Sequence, residues 1–473
     1  MYAGGTADFV AWQAREAALR AIAAVEGVGH PLPGWTGSYG FRDLPLIPVA
    51  GQDLNAYYDR NSISFFVTRV AGNDIFSGAS TDVVAHETGH AILDAIRPDL
   101  WGVNLMEVGA FHEGFGDIIA IFTALADKDT RTALLAVGLR QANYIEATAE
   151  QLSDAIFKIK GPSHPASAPR RALNAFKWSF PTSLPANGPP NVLINEEHSL
   201  GQLASGIFYD LVCEIYARDN AGGQAALWKA AQAAMDLTLK ATQAVSVRPR
   251  FFETWGRAMA LIDSQASAGA NEGVIKTAFS NHGILVSTTA ALAPRLRLQQ
   301  FGSRKTRSGQ LMTAAARRRL RSALGVAPGE RLTEREVELG DGPVLEVSAM
   351  KWVELTGLSE RLFDVVARVP HPALVGEVDS GPAVLGAIEN EFAYNQEVRD
   401  YVETLLRHDA IDFDKRARKR KSEVGSTMSP KSASIIAGEG KTHEIVVKNG
   451  QRLLERVSFA CGCRSFGRTG SRS

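Results

Sequence analysis

The feature that most constrains this chain is the segment His86-Glu87-Thr88-Gly89-His90, which has the pattern His-Glu-x-x-His. If the segment is helical, its two imidazoles lie four residues apart and point from one face towards a single ion. The Glu87 carboxylate then lies beside that ion and is free to take a proton from a bound water. Chance is the competing explanation, because the pattern is expected by accident in about one such sequence in a hundred. The surrounding sequence has to show whether this segment is a metal-binding motif or a chance match.

The residues around this motif predict a buried helix. Asp82 is favourable against the positive end of a helix that starts here, and Pro98 ends that helix near Ile96. Apolar residues occur on more than one side of it, at Val83, Val84, Ile92 and Leu93. A buried helix that carries two histidines and a glutamate needs partners for those polar groups.

A second helix, predicted from Leu105 to about Ala126, carries Glu113 and Asp117 four residues apart on one face. Three glycines in it each cost about 1 kcal/mol of helix propensity relative to alanine. We therefore expect another backbone or side chain to approach closely. A metal site packed against a neighbouring helix explains the carboxylates and the glycines together. His112 lies about 100° around the helix from Glu113, so we expect it to pack or to hydrogen bond near the site rather than to bind metal. The three glycines are Gly109, Gly114 and Gly116.

The remaining pattern up to residue 290 is mainly helical. Residues 63–67 alternate as a strand of a small sheet, and residues 161–195, rich in Pro, Asn, Ser and Gly, predict a long loop. His198 follows that loop, near the start of another helix. Apolar spacing predicts these further helices over residues 8–27, 131–158, 203–217, 223–243, 251–265 and 274–284.

Beyond about residue 288 the sequence changes character. A helix over 386–407 and a hairpin of 443–448 with 452–459 around an Asn449-Gly450 type I′ turn are predicted. Cys461-Gly462-Cys463 is interpreted as two small cysteines rather than a metal or redox pair. Basic runs are interpreted as solvated segments rather than a nucleic-acid site; they lie at 304–307, 317–321 and 415–421.

Length and charge suggest more than one unit. A chain of 473 residues, 45% of them hydrophobic, predicts two or three domains. Residues 1–290 contain 21 basic and 28 acidic residues, a net charge of −7, and the remainder of the neutral chain carries +7. An acidic N-terminal part argues against nucleic acid as a partner there.

Three cysteines exclude a disulfide framework for a chain of this size. The first residues show neither the basic segment nor the apolar segment of a signal peptide, and no apolar run approaches twenty residues. We therefore expect a cytoplasmic protein without a membrane partner. A piece of a longer precursor would give the same pattern, which leaves secretion open.

Taken in order, five segments resemble the thermolysin-like zinc metallopeptidases, also called gluzincins, over residues 50–287. The first resembles the strand to which that family's substrates pair, and the others resemble its metal and catalytic motifs. Together they are far more specific than His-Glu-x-x-His alone. They are Asn55-Ala56-Tyr57-Tyr58, the motif at 86–90, Gly109-Ala110-Phe111-His112-Glu113-Gly114-Phe115-Gly116-Asp117-Ile118, Glu197-His198-Ser199 and Ser205-Gly206-Ile207-Phe208-Tyr209.

The resemblance implies an α+β fold in which a small N-terminal sheet lobe precedes a mainly helical lobe. It implies a unit at 1–103 with the sheet and the motif helix, and a helical unit at 104–288. A C-terminal α+β accessory region of unknown role is left at 289–473. It also implies a zinc-dependent endopeptidase that acts on peptides or proteins.

The implied roles can be assigned residue by residue. His86, His90 and Glu113 would bind Zn²⁺ and leave the fourth position for water. Asp117 would accept a hydrogen bond from a ligand histidine. Glu87 would be the general base, His198 would donate to the oxyanion, and Asn55 would hold the substrate backbone.

Some positions depart from the family pattern. The stretch between His90 and Glu113 contains no tyrosine to assist His198, and the acidic partner of that histidine is not at the expected spacing, although Glu196 and Glu197 are near. Arg170 and Arg171 are candidates for the arginine that binds the substrate carbonyl, but the sequence around them does not match. Two alternatives stay open: a non-catalytic binding protein with this fold, and a zinc hydrolase of non-peptide amides.

Overall fold

A computed structural model describes residues 6–36, 43–286, 331–338, 343–378, 381–385, 391–413 and 441–460, with isolated positions between 314 and 326. The protein has the predicted α+β fold, in which helices predominate and the strands form small sheets. The described helices are α1 (Ala7–Glu26), α2 (Thr81–Ile96), α3 (Met106–Ala126), α4 (Lys128–Val137), α5 (Glu150–Lys160), α6 (Glu197–Ala217), α7 (Gly223–Ala244), α8 (Phe251–Ala266), α9 (Glu272–Asn281) and α10 (Glu391–Arg407).

Strands are short in the N-terminal part and longer after residue 330. They are β1 (Leu46–Ile47), β2 (Ala56–Tyr58), β3 (Ile63–Phe65), β4 (Val67–Val70), β5 (Asn73–Phe76), β6 (Ala147–Thr148), β7 (Arg170–Arg171), β8 (Leu332–Glu338), β9 (Pro343–Glu354), β10 (Val365–Val378), β11 (Gly381–Leu385), β12 (Ile411–Asp412), β13 (His443–Lys448), β14 (Gln451–Arg456) and β15 (Phe459–Ala460).

Two sheets matter for the site. The smaller one has the strand order β1-β3-β2-β15, so β2 is paired on both sides and its outer neighbour comes from the far end of the chain. The larger sheet has the order β12-β13-β14-β10-β9-β8, and β11 pairs with β10. The remaining described strands form two short antiparallel hairpins. The strands of β4-β5 have four residues each, and those of β6-β7 have two.

Most helix predictions are confirmed, and two are corrected. The helix predicted over 131–158 is wrong in its middle, because the chain leaves the helix at Gly138 with φ of 104° and then forms β6 before α5 begins. The helix predicted from residue 203 begins earlier, at Glu197, which places His198 in its first turn. The strand predicted over 63–67 breaks at Phe66, whose amide donates to the Ser77 hydroxyl.

The hairpin around Asn449-Gly450 is confirmed, since β13 and β14 pair and both turn residues have positive φ, 53° and 81°. Its second strand was predicted to continue to residue 459, which is wrong. The strand ends at Arg456, the Val457 amide donates to the Thr442 carbonyl, and the next residues join the smaller sheet as β15. The cysteine pair at 461 and 463 and the basic run at 415–421 lie outside the described residues.

The largest apolar core is continuous between the helical part and the C-terminal region. It includes Phe115 and Leu203 from α3 and α6, and Val353, Val369 and Tyr401 from β9, β10 and α10. The division of the chain at residue 288 stays a prediction. Residues on both sides of that position are buried against one another.

One described helix, α3, is long and apolar enough to cross a membrane, and 94% of its most apolar window is buried inside the protein. Core helices of globular proteins have the same composition. Its burial between α2 and α6 therefore accounts for the apolar sequence without a bilayer.

Candidate metal centre

The two motif histidines converge on a carboxylate of the neighbouring helix. His86 and His90 lie one turn apart on α2, and their Nε2 atoms are 3.3 Å and 3.6 Å from Oε2 of Glu113 on α3. Ligand atoms of His86, Glu87 and His90 lie within 4.8 Å of one another. All four side chains are fully buried. These four residues are among those that the sequence analysis assigned to the site.

Several polar atoms of this cluster lie close to one another but form no hydrogen bond of acceptable geometry with any described residue. They are Nε2 of His86 and of His90 and both carboxylate oxygens of Glu87 and of Glu113. A buried polar atom without a partner costs roughly 1–3 kcal/mol, and more when it is charged. A cation between these atoms would satisfy the imidazoles and a carboxylate together, so the donor set fits a metal ion.

Glycines allow the helices to approach this closely, as the sequence predicted. A Cβ on Gly116 would lie 2.6 Å from His86 Nδ1, and one on Gly89 would lie 2.9 Å from the Gly116 Cα. A Cβ on Gly114 would collide with the Gly201 carbonyl of α6. Side chains at these positions would push α2 and α6 away from α3, and the cluster would open.

Asp117 and Arg170 fix the orientation of His86. The Nδ1–H of His86 donates to Asp117 Oδ1 at 2.8 Å. Asp117 in turn accepts from Nη2 and Nε of Arg170 at 2.7 Å and 2.9 Å. With its Nδ1 proton held by Asp117, the His86 ring directs Nε2 at the centre of the cluster, where that atom could bind a cation.

His112 has a corresponding place beside His90. Their Nδ1 atoms are 3.0 Å apart, so one ring donates to the other. This contact is of the kind predicted for His112, packing or hydrogen bonding near the site. If Nε2 of His90 binds a cation, its Nδ1 carries the proton and His90 is the donor.

His198 faces the cluster from the first turn of α6. Its Nε2 lies 3.1 Å from Glu113 Oε2 and 2.9 Å from the main-chain oxygen of Ala460. On the other side of the ring, Nδ1 lies 2.8 Å from Oε1 of Glu196. Oε2 of Glu196 also accepts from the Ser199 amide at 3.0 Å and so caps the helix. Glu196 is the acidic partner that the sequence placed near His198 without choosing between Glu196 and Glu197.

Burial and charge separate the pKa values of the two central carboxylates. Burial raises the pKa of Glu87 to about 8. Burial also acts to raise the pKa of Glu113, but the charges of His198 and His90 outweigh it and hold that pKa well below its usual range. Burial lowers the pKa of His90 to about 4. Two neighbouring carboxylates with different proton affinities can take different roles, one as an anionic ligand and one as a proton carrier.

The strand predicted to pair with substrate, β2, follows Asn55, which is buried and whose Oδ1 accepts from the Ala56 amide at 2.9 Å. The substrate role of Asn55 stays a prediction. An unexpected finding is that β15 lies along the outer edge of β2, with Phe459 opposite Tyr58 and Ala460 opposite Tyr57.

The C-terminal region supports the start of α6 through a buried ion pair. Arg456 of β14 donates to Glu197 Oε1, and the Tyr401 hydroxyl of α10 donates to the same oxygen at 2.6 Å. Both members of the pair are at most 2% exposed. Residues from two elements after position 390 therefore hold the residue adjacent to His198.

We expect Arg456→Met to lower the free energy of unfolding by about 3–5 kcal/mol, because it leaves the Glu197 carboxylate buried without its cation. The measurement is urea unfolding followed by circular dichroism. Arg368→Met is the matched control, since Arg368 pairs with Glu455 at a half-exposed position and should cost less than about 1 kcal/mol. Equal losses in the two variants would contradict a special role for the buried pair.

Three features of the site could not be read from the sequence alone. Arg170 was a candidate only for a substrate contact, whereas it bonds Asp117, and Arg456 had no predicted role. The contact of Ala460 with His198 had no sequence signal. One signal in the sequence could have identified Glu196 as the partner of His198: Glu196 lies at the N-cap position, two residues before that histidine.

Comparison of the sequence with protein-family models and with curated proteins gives no match.

Proposed function

We propose that this protein is a zinc-dependent peptidase of the thermolysin-like type. The observation that carries the proposal is the convergence of His86, His90 and Glu113 on one buried point, with their inward-facing atoms lacking hydrogen bonds within the described part of the chain. Around that point lie a second carboxylate, Glu87, and a donor, His198.

Two histidines and one glutamate are a ligand set of catalytic zinc, which keeps a further coordination position for water. In this proposal His86 and His90 bind through Nε2 and Glu113 through its carboxylate. When bound, zinc would supply a more acidic water and a polarised substrate carbonyl. Asp117 and His112 would keep the two imidazoles in the tautomer that binds.

The protein's own residues would move the protons. Glu87 has both oxygens buried and without a hydrogen-bond donor among the described residues, so it can accept the proton of the attacking water and deliver it to the departing nitrogen. His198, held through Nδ1 by Glu196, would donate from Nε2 to the carbonyl oxygen. Loss of one such donor typically costs about 2.7–4 kcal/mol in the transition state.

A peptide fits this site better than a non-peptide amide. An extended segment, β15, already pairs antiparallel with β2 beside the cluster, which is the geometry of β-augmentation. Main-chain pairing of this kind requires a peptide backbone. The non-catalytic alternative is less favoured, because a structural zinc site needs neither Glu87 nor His198.

The test is zinc content measured together with cleavage of an unstructured protein. We expect one zinc per chain, cleavage that stops on chelation and returns with zinc, and loss of both properties in His90→Gln. His282→Gln is the matched control, since that histidine is equally buried but contacts the Phe176 carbonyl. One bound zinc without cleavage would favour the non-catalytic protein, and absence of zinc binding would refute the metal centre.

We expect Asp117→Asn to weaken zinc binding by about 10–100-fold, because His86 loses the carboxylate that orients it. Affinity can be measured by competition with a chromogenic chelator. Asp236→Asn is the control: this half-exposed carboxylate pairs with Lys240 and should leave the affinity unchanged. Equal affinity in wild type and Asp117→Asn would show that Asp117 does not orient a ligand.

A further inference from the structure

Strand β15 lies where a peptide substrate would lie. Phe459 and Ala460 pair antiparallel with Tyr58 and Tyr57, on the side of β2 that is not covered by β3. The partners are about 400 residues apart in sequence, so the chain returns from its last described sheet to reach this edge. A strand added to an exposed sheet edge is the binding mode proposed above for substrate.

Phe459 anchors this strand on the metal cluster. Its ring stacks on His112 with centroids 3.9 Å apart and on His90 with centroids 4.9 Å apart. The Arg456 guanidinium lies 4.0 Å from its centroid, and the side chain is 1% exposed. A buried aromatic between a histidine pair and an arginine fixes the position of the residue that follows it.

The residue that follows, Ala460, presents its carbonyl oxygen to His198. The Ala460 oxygen accepts a hydrogen bond from His198 Nε2 at 2.9 Å, and the same nitrogen is 3.1 Å from Glu113 Oε2. His198 is the group proposed to donate to the oxyanion. The carbonyl carbon of Ala460 is also the acyl carbon of the peptide bond to Cys461.

We propose that the chain is its own substrate and cleaves the bond between Ala460 and Cys461. The proposal rests on the proposed peptidase function and adds a specific bond to it. Cleavage there separates residues 461–473 from the part of the chain that carries the site. Cleavage also makes β15 a product strand, which can dissociate from β2 and free that edge for other peptides.

Water is the only co-reactant that the reaction consumes. A water oxygen adds to the Ala460 carbonyl carbon while Glu87 takes one water proton, and His198 donates to the carbonyl oxygen. The bond from that carbon to the Cys461 nitrogen then breaks with its electron pair on nitrogen, and Glu87 delivers the proton there. The products are a carboxyl group on Ala460 and a free amino group on Cys461, with no change in oxidation state.

The first experiment follows the full chain by intact-protein mass spectrometry after zinc is added to metal-free protein. We expect loss of residues 461–473, a new C-terminus at Ala460 and one ¹⁸O atom in that carboxyl group when the buffer contains H₂¹⁸O. The rate constant should not depend on protein concentration, because the reaction is intramolecular. Glu87→Gln should remain intact.

A second measurement does not require turnover. In metal-free Glu87→Gln protein, amide hydrogen exchange should show protection of residues 459–460, and this protection should be lost when Phe459→Ala is added. Phe459→Ala should also slow self-cleavage by at least about 10-fold. The matched control is Phe392→Ala on α10, an aromatic side chain that is 71% exposed, which should change neither exchange nor rate.

The outcomes separate the two proposals. Cleavage of added peptides by a zinc-loaded chain that stays intact would overturn self-cleavage and leave the peptidase function standing. Absence of both reactions, in wild type and in Phe459→Ala, would overturn both. Cleavage at a bond other than 460–461, or unprotected amides at 459–460, would also overturn the assignment of β15 as substrate.

Discussion

Glu87→Gln is expected to keep one zinc per chain and to lose about 10²–10⁴-fold in the rate of peptide cleavage. The amide has nearly the volume of the carboxylate but cannot accept the proton of the attacking water. His86, His90 and Glu113 are unchanged, so zinc should still bind. The measurement combines metal analysis with initial rates on an unstructured protein substrate.

The control for Glu87→Gln is Glu150→Gln, the same chemical change at an exposed position in the first turn of α5. It should have wild-type zinc content and rate. If Glu87→Gln cleaved at the wild-type rate, the proposed mechanism would be wrong, because the other carboxylates of the cluster are assigned to binding the metal and orienting His86.

Glu113→Ala is expected to lower zinc affinity by more than about 100-fold, beyond the effect of removing an outer hydrogen-bond partner. The variant loses the anionic ligand from α3 and leaves two imidazoles of α2, too few for a stable zinc site. In wild type, zinc at 100 times its dissociation constant should stabilise the fold by about 2.7 kcal/mol. Thermal unfolding with and without zinc should show this shift, and Glu113→Ala should not.

Glu107→Ala gives the matched comparison on the same helix. Glu107 is also buried, but it accepts hydrogen bonds from Trp178 Nε1 and the Phe252 amide. Its loss should lower stability and leave the zinc-dependent shift in unfolding temperature unchanged. Full zinc occupancy in Glu113→Ala would reassign the third ligand, and Glu87 would be the first candidate.

Local periodicity predicted which polar side chains share a helix face, and the family resemblance implied that Glu113 joins His86 and His90 as a ligand. His86 and His90 share a helix face because four residues are close to one turn, and the same spacing relates Glu113 to Asp117. The glycines of α3 predicted a close approach, which occurs at Gly116 against His86. These statements concern residues within one helix, whose geometry is fixed by backbone hydrogen bonds a few residues apart.

Partners on other segments could not be obtained in that way. Arg170 reaches Asp117 from the end of a loop, and the direction of a loop depends on what it packs against. The predicted helix over 131–158 failed at Gly138 for a related reason, since apolar spacing on both sides concealed a turn. The family resemblance implied the metal ligands. It did not indicate that Arg170 binds Asp117 or that Arg456 binds Glu197.

The sequence by itself determined the α+β class, the motif helix and the residues that converge on the proposed zinc. Tertiary structure alone decided that β15 covers the edge of β2 and that Ala460 meets His198. A two-residue strand has no periodicity to detect, and its partner is about 400 residues away. Such pairing depends on the path of the whole intervening chain. That path brings Phe459 and Ala460 back to β2, beside the metal centre that includes His86 and His90.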